Sequence, residues 1–491
     1  MKPLPLSRIA QWAGGRLQGD DVVIDALATD TRALEAGAGD GTLFVAIKGE
    51  RFDGHDHVGS AADLGVRAAL VSHLVDASLP QVLVADTQRA LASLAAAMQH
   101  ARAGKVVAVT GSNGKTSVKT LVLSILQRAG KAYGNPGNRN NEIGLPLAVI
   151  DAPDDADFAV YEMGAGKPGD IAYLTAIARP HVALVNNVAP AHLERMGSLL
   201  GVADTKAAIY DALPADGVAV INADDAFAPY FAERAHGRRL IRFGLDAAAD
   251  VSARDIVAGD EGSRFTLSTP QGEADAAVPM PGRHNVANAL AAAALALACG
   301  VGLDDIVAGL REARPVAGRL VRHRLRSGAV LVDDSYNANP GSLNAAIDTL
   351  AAASGEGWLV LGDMRELGED AQALHEAAGR RAKEAGIARL YALGPLSAAA
   401  AAAFGAGGRV FESHAALAAA LRADLEAQAG ADPAGAASAT SSSAPGQELA
   451  AEAAPTNGEG ARVQVLVKGS RGSAMDRVVT ALLQGETAHA A

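Results

Sequence analysis

Residues 108–120 read AVTGSNGKTSVKT. The apolar run into Thr110 reads as a buried strand, Gly111 to Gly114 as a turn of small residues, and the stretch from Lys115 as a helix. Glycines at 111 and 114 let backbone N–H groups turn toward an anion, and the start of the helix adds the positive end of its dipole. Lys115 has the reach for β/γ-phosphates, and the hydroxyl of Thr116 suits Mg²⁺. A complete phosphate-loop pattern asks for glycine at position 109, where this chain has Val109. A plain glycine turn joins strand to helix in the same way. The Gly-Lys-Thr-Ser run in that context favours a nucleoside triphosphate.

The chain has 491 residues, enough for about three domains of ordinary size. Hydrophobic residues make up 49% and aromatics only 4%. This suits helix-rich α/β packing and argues against a stacking platform for single-stranded nucleic acid. Forty-three basic residues against 55 acidic ones give a formal net charge of −12. A general polyanion binder would be basic, so no nucleic-acid partner is expected, and any anionic ligand must meet local donors. Cys299 is the one cysteine, which rules out an intramolecular disulfide. The N-terminal residues MKPLPLSRIAQWAGG lack a long apolar core, and the apolar run ALAAAALALACGVGL reads as a buried helix ending at Gly300. A cytoplasmic protein without membrane insertion is expected.

Three α/β units follow from the alternation of elements. Residues 1–86 form a small first unit with strands in GTLFVAIKG and QVLVAD. Residues 87–103 read as a joining helix, and 87–315 as the central unit. There DFAVYEMGA, PHVALVNNVA and GVAVINADD are short apolar strands with polar ends, the pattern of a parallel sheet whose ligand groups gather at the carboxyl edge. A β-rich excursion is expected at 250–280. Residues 316–491 read as a Rossmann-like unit with strands in AVLVDDSY, GWLVLGDM, RLYALG, GRVFES and RVQVLVKGS. Between its last helix and last strand, about 430–460, an Ala/Ser/Gly/Pro-rich stretch has too little to bury and reads as a disordered surface insert.

Several polar groups fall where this architecture puts ligands. Glu162 ends a strand, where a carboxylate can reach Mg²⁺ or serve as a solvated cap. His192 follows a strand and a turn, and Lys206 lies on a helix fourteen positions later; neither supports a claim alone. The asparagine-dense GNRNNEIGLP, with Asn138, Asn140 and Asn141, suits either a turn cluster or hydrogen bonding to a polar substrate. Asp333, Asp334 and Tyr336 end another strand, and LGDMRELG and LVKGSRGSAMD end two more.

Taken together, TDTRALEAGAGDGTLFVAIKGERFDGHDH, TGSNGKTSVK, GNRNNEIGLP, EMGA, NVAPAHLERMGS, PGRHNVANALAAAALA, DDSYNANPGS, LGDMRELG and VKGSRGSAMD resemble the Mur ligase family. FVAIKGERFDGHD with DDSYNANP points to the branch that adds D-alanyl-D-alanine, and the DNPR stretch of the tripeptide-forming branch is missing. The resemblance implies a three-domain α/β ligase: a first domain for the UDP substrate, a central parallel-sheet ATPase domain and a C-terminal Rossmann-like domain that closes over the site. It implies ATP and Mg²⁺ as cofactors, UDP-N-acetylmuramoyl-tripeptide and D-alanyl-D-alanine as substrates, and a monomer. By the same resemblance, ATP meets Gly111, Ser112, Asn113, Gly114, Lys115, Thr116, Ser117, Asn288 (near the adenine), Arg319 and Asp334. Thr116, Glu162, His192 and Lys206 serve the metal, and Lys206 carries a carbamate. Thr31, Arg32, Lys48, Asn138, Asn140 and Asn141 serve the substrate. Ala208 departs from the acidic residue expected there.

The expected chemistry is activation of a carboxylate. Its anion repels an amine and oxide does not leave, so the γ-phosphoryl group is transferred first to give an acyl phosphate. The amine then attacks and phosphate departs. Lys115 and two Mg²⁺ ions offset the charge that accumulates. A nucleotide switch lacking ligase activity would not need the polar strand ends of a closing third domain.

Overall fold

The computed structural model describes residues 1–34, 40–49, 51–190, 193–430 and 462–484. The stretch expected as a disordered insert lies outside them, beyond the helix His414–Gly430 that leads into it. So does His192.

Among the described residues the central sheet has six strands, all parallel. Their order across the sheet is Arg239–Phe243, Val218–Asn222, Val182–Val185, Lys105–Thr110, Phe158–Glu162, Ala132–Gly134. The strand entering the glycine turn is thus interior, and the chain passes to opposite sides of it. That is the switch point where α/β sheets open a crevice at their carboxyl ends. The period-two alternation of that strand fixes two cores. Val106 and Ala108 face Leu91, Leu145 and Tyr210 on one side. Val107 and Val109 face Val118, Leu121 and Val286 on the other. Val109 is fully buried in the sheet, so this phosphate loop starts at Gly111 and is shorter than the full pattern. The alanine-rich run forms the helix Arg283–Cys299, whose Ala289 to Ala296 are wholly buried against the sheet.

The first unit carries a mixed sheet, ordered Arg16–Gln18, Gln81–Leu83, Ala68–Val71, Thr42–Val45, Ala26–Ala28, with the first pair antiparallel. Helix Thr87–His100 ties this unit to the next. Its Thr87 hydroxyl donates to Ala46 O at 2.8 Å, and its apolar face enters the central core. The excursion at 250–280 is an antiparallel sheet of Ser252–Gly259, Gly262–Thr269 and Gly272–Val278. In the C-terminal unit the last strand, Val463–Lys468, inserts between Val330–Asp334 and Glu356–Gly362. An antiparallel edge strand, Val321–Arg324, precedes them; the sequence reading had no strand there. The late insertion brings Asp334, Gly362 and Lys468, from distant parts of the chain, to adjacent strand ends. No described helix is long and apolar enough to cross a membrane.

Candidate active site

The turn after Thr110 is shaped by its two glycines. Gly111 has φ 148° and Gly114 has φ 77°, both unfavourable for a side chain. A Cβ at 114 would lie 2.4 Å from Asn288 Oδ1 and 2.5 Å from Asn186 Nδ2. Both amides are buried and bonded to each other at 3.1 Å, and Asn288 Nδ2 donates to Asn285 Oδ1 at 3.1 Å, so neither can swing aside cheaply. Gly114→Ala is therefore expected to cost about 2–3 kcal/mol of stability and most nucleotide affinity, readable by melting temperature and ADP titration.

The loop is strapped from the neighbouring strand end by Asn186 and Asn187. Asn113 N donates to Asn187 Oδ1 at 2.8 Å, and Ser112 N to Asn187 O at 2.9 Å. Asn186 Nδ2 donates to Asn113 O at 3.0 Å. The Ser112 hydroxyl donates to Ala189 O at 3.0 Å and accepts from Ala189 N at 2.9 Å. The sequence reading gave these asparagines no role, although a double amide at a strand end was a visible sign.

Lys115 opens the helix Lys115–Ala129, and its ammonium donates to the carbonyls of Gly111 at 2.7 Å and Ser112 at 3.3 Å. Burial pulls its pKa down, assisted by the charge of Arg319 and opposed by Glu162. Glu162 is 4% exposed. Burial works to raise its pKa, but Lys119 and Lys115 outweigh that and hold it below the ordinary carboxylate value. Asn140 Nδ2 donates to Glu162 Oε1 at 2.9 Å, while Oε2 is buried without a hydrogen-bond partner, 3.3 Å from Lys119 Nζ. A buried carboxylate beside the Thr116 hydroxyl offers the oxygen chemistry that a hard divalent cation takes, although the free oxygen is ion-paired with Lys119 and no group of three His, Cys, Asp or Glu side chains gathers there among the described residues. Lys206, on the helix Leu199–Asp211, is 2% exposed, and no carboxylate among the described residues pairs with it. Burial first, then the charge of Lys115, brings its pKa down to about 7.

The C-terminal unit reaches this loop directly. Arg319 Nη2 donates to Thr116 Oγ1 at 3.1 Å and its guanidinium stacks 4.5 Å from the Tyr336 ring centroid. Asn339 Nδ2 donates to Asn113 Oδ1 at 2.7 Å. Asp334 pairs with the buried Lys468, whose ammonium also donates to Asn337 O at 3.0 Å. Burial raises the Asp334 carboxyl despite that partner. His284, facing this group from the start of the helix Arg283–Cys299, is driven down to about 4 by burial and by Lys468, and so is neutral at pH 7.

Together these groups line a cavity of about 630 Å³ at the carboxyl edge of the central sheet. Gly111 to Lys115, Ser117, Asn140, Asn141, Glu162, Lys206, Asn288, Arg319 and Asp334 line it. Thr116 is outside the lining but accepts from Arg319, and Asn141 also accepts from Gly144 N at 2.8 Å, a helix-start role. Asn138 is exposed and outside the lining. Thr31, Arg32 and Lys48 lie on the first unit, also outside it. Arg32 is held by Asp30, and Lys48 stands 3.7 Å from Asp53. Lys119, Asn186, Asn187, His284 and Lys468 went unassigned in the sequence reading. Lys119 and Lys468 are both buried, which their neighbours in sequence do not signal, although Lys468 falls within the polar strand end LVKGSRGSAMD.

A glycine loop at the switch point of a parallel sheet, with a buried lysine, a strand-end carboxylate and a third unit touching the loop, defines an α/β protein of the phosphate-loop class. The chain belongs to the Mur ligase family: residues 23–99 match the Mur ligase family catalytic domain, 109–296 the Mur ligase middle domain and 318–434 the Mur ligase glutamate ligase domain. It is 42% identical to the UDP-N-acetylmuramoyl-tripeptide–D-alanyl-D-alanine ligase of Escherichia coli K12, over 99% of this chain and 100% of that one. A MurF crystal structure from Acinetobacter baumannii superposes with a TM-score of 0.87 at 32% identity, covering 99% of both chains. The MurF ligase of Thermotoga maritima, solved in complex with ADP, superposes with a TM-score of 0.77 at 25% identity, over 94% of this chain and 97% of that one.

Proposed function

We propose that the chain is an ATP-dependent amide ligase that joins D-alanyl-D-alanine to UDP-N-acetylmuramoyl-tripeptide, giving the pentapeptide precursor of peptidoglycan. The observation that carries this is the 42% identity to the Escherichia coli ligase across the full length of both chains. The cavity supports it chemically, because cations are concentrated where two anions must meet on a chain of net charge −12.

ATP lies with its phosphates on the N–H groups of Gly111 to Lys115, and Lys115 and Arg319 face the transferring group. The γ-phosphoryl moves to the tripeptide carboxylate, the dipeptide amine attacks the acyl phosphate, and phosphate leaves. Thr116, Glu162, His192 and a carbamate on Lys206 would hold Mg²⁺, which would offset phosphate charge. Thr31, Arg32, Lys48, Asn138, Asn140 and Asn141 serve the UDP substrate, and Asn288 and Asp334 the nucleotide. Working domain limits are 1–86, 87–315 and 316–491. We take the chain to act as a monomer, and the use of ATP with a UDP-linked substrate suits the cytoplasm.

The deciding experiment is ADP release with UDP-N-acetylmuramoyl-tripeptide, with and without D-alanyl-D-alanine. Release is expected with both substrates together, and ATP turnover indifferent to them would sink the reading. Substrates must also enter between the loop and the Asn339 and Arg319 contacts. The segment 313–318, ending at Gly318 with φ 72°, is the expected hinge. Solution scattering should show a larger radius of gyration for the free chain than with nucleotide and both substrates. An unchanged radius would refute closure about this hinge.

A further inference from the structure

Lys119 lies one turn beyond Lys115 on the same helix and is 6% exposed. Its ammonium donates to Asn135 O at 2.8 Å and stands 3.3 Å from Glu162 Oε2. Asn135 clamps the backbone of Glu162, accepting from its N–H at 2.9 Å and donating to its carbonyl at 3.0 Å. Asn140 fixes the other carboxylate oxygen at 2.9 Å. Glu162 is thus held at backbone and side chain, with one oxygen left without a hydrogen bond.

We infer that Lys119 is a built-in countercation for Glu162, a positioning residue that keeps this carboxylate in place without metal and limits how tightly a divalent ion is held there. The inference rests on reading Glu162 as a metal ligand. A buried carboxylate needs a countercharge, and leaving one unpaired is destabilising. Lys119 supplies that charge before any metal arrives. It is no ligand itself, since an ammonium has no lone pair. A divalent ion at Oε2 must then share the carboxylate with a fixed positive charge, and repulsion at this range in a partly dry site is substantial. The metal accordingly enters and leaves with the nucleotide instead of residing on the protein.

The test is Mn²⁺ binding to the full chain, with free Mn²⁺ followed by electron paramagnetic resonance. Lys119→Gln keeps a donor for Asn135 O but removes the charge. It is expected to tighten Mn²⁺ binding by about tenfold, to lower the metal-free melting temperature and to enlarge the rise in melting temperature that Mn²⁺ produces. Lys119→Arg, which keeps the charge, should bind Mn²⁺ like the parent. A merely structural role for Lys119 predicts unchanged or weaker binding in Lys119→Gln, and that result overturns the inference. Glu162→Gln separates the two readings. If it abolishes binding while Lys119→Gln fails to tighten it, Glu162 remains a ligand and the countercation role falls. If it leaves binding intact, both fall. Should Lys119→Gln not fold, the double variant with Glu162→Gln, which removes both charges, is expected to fold. A double variant that fails equally overturns the countercation role.

Discussion

Lys115→Ala is expected to lower substrate-dependent ADP release by about a thousandfold, with the fold intact, since a single donor to developing charge commonly contributes that much. The lysine follows Gly114 at the start of its helix, and among the described residues its ammonium donates to the Gly111 and Ser112 carbonyls. Without phosphates these bonds are modest, and burial already disfavours the charge. Truncation therefore removes a cation that is costly in the free protein and valuable once a γ-phosphoryl group is in flight. The melting temperature of the free chain should stay level or rise, while turnover collapses. Turnover within a few-fold of the parent would mean that Arg319 or the loop N–H groups carry the phosphate charge by themselves.

Lys206→Arg is expected to be nearly inactive, although it keeps a long basic side chain at the same place on the helix. The amine is 2% exposed, has no carboxylate partner among the described residues, and is brought down to about 7 by burial and by Lys115. At neutral pH much of it is therefore unprotonated and able to add CO₂, giving an anion with two oxygens suited to a hard metal. A guanidinium stays charged and cannot follow. Lys206→Ala should regain part of its activity with formate or acetate in the vacated space, and the parent in ¹³C-bicarbonate should show a carbamate resonance. Near-normal turnover of Lys206→Arg in CO₂-depleted buffer would end the carbamate reading. The same shift fixes a pH trend for the unmodified, metal-free chain. The folded amine titrates near 7 and the unfolded one near 10.5, so the unfolded state binds more protons between those values. Stability therefore rises as pH increases through that interval, and Lys206→Met should flatten the rise.

The phosphate loop, its strand and its helix were legible because local chemistry demands them. Positive φ at Gly111 and Gly114 needs glycine, and the alternation from Val106 to Val109 needs a sheet covered on both faces. The alanine-rich helix could be placed in the core from its composition alone. The parallel sheets followed from apolar strands spaced by helices. Membership in the Mur ligase family followed from an ordered set of short motifs, each weak alone. The sequence could not place side chains whose role depends on what lies across space. Lys119 and Lys468 have the flanks of ordinary helix and strand-end lysines; tertiary packing removes both from water and sets each against a carboxylate. Asn186 and Asn187 became the strap of the loop only once their strand lay beside it. Asp334 and Lys468 are 134 positions apart and meet because the last strand inserts into the middle of its sheet. Local propensity and pattern thus determined which segments became strands, helices and a phosphate turn. Burial and strand order, which depend on the whole chain at once, decided which charges face one another across the cavity.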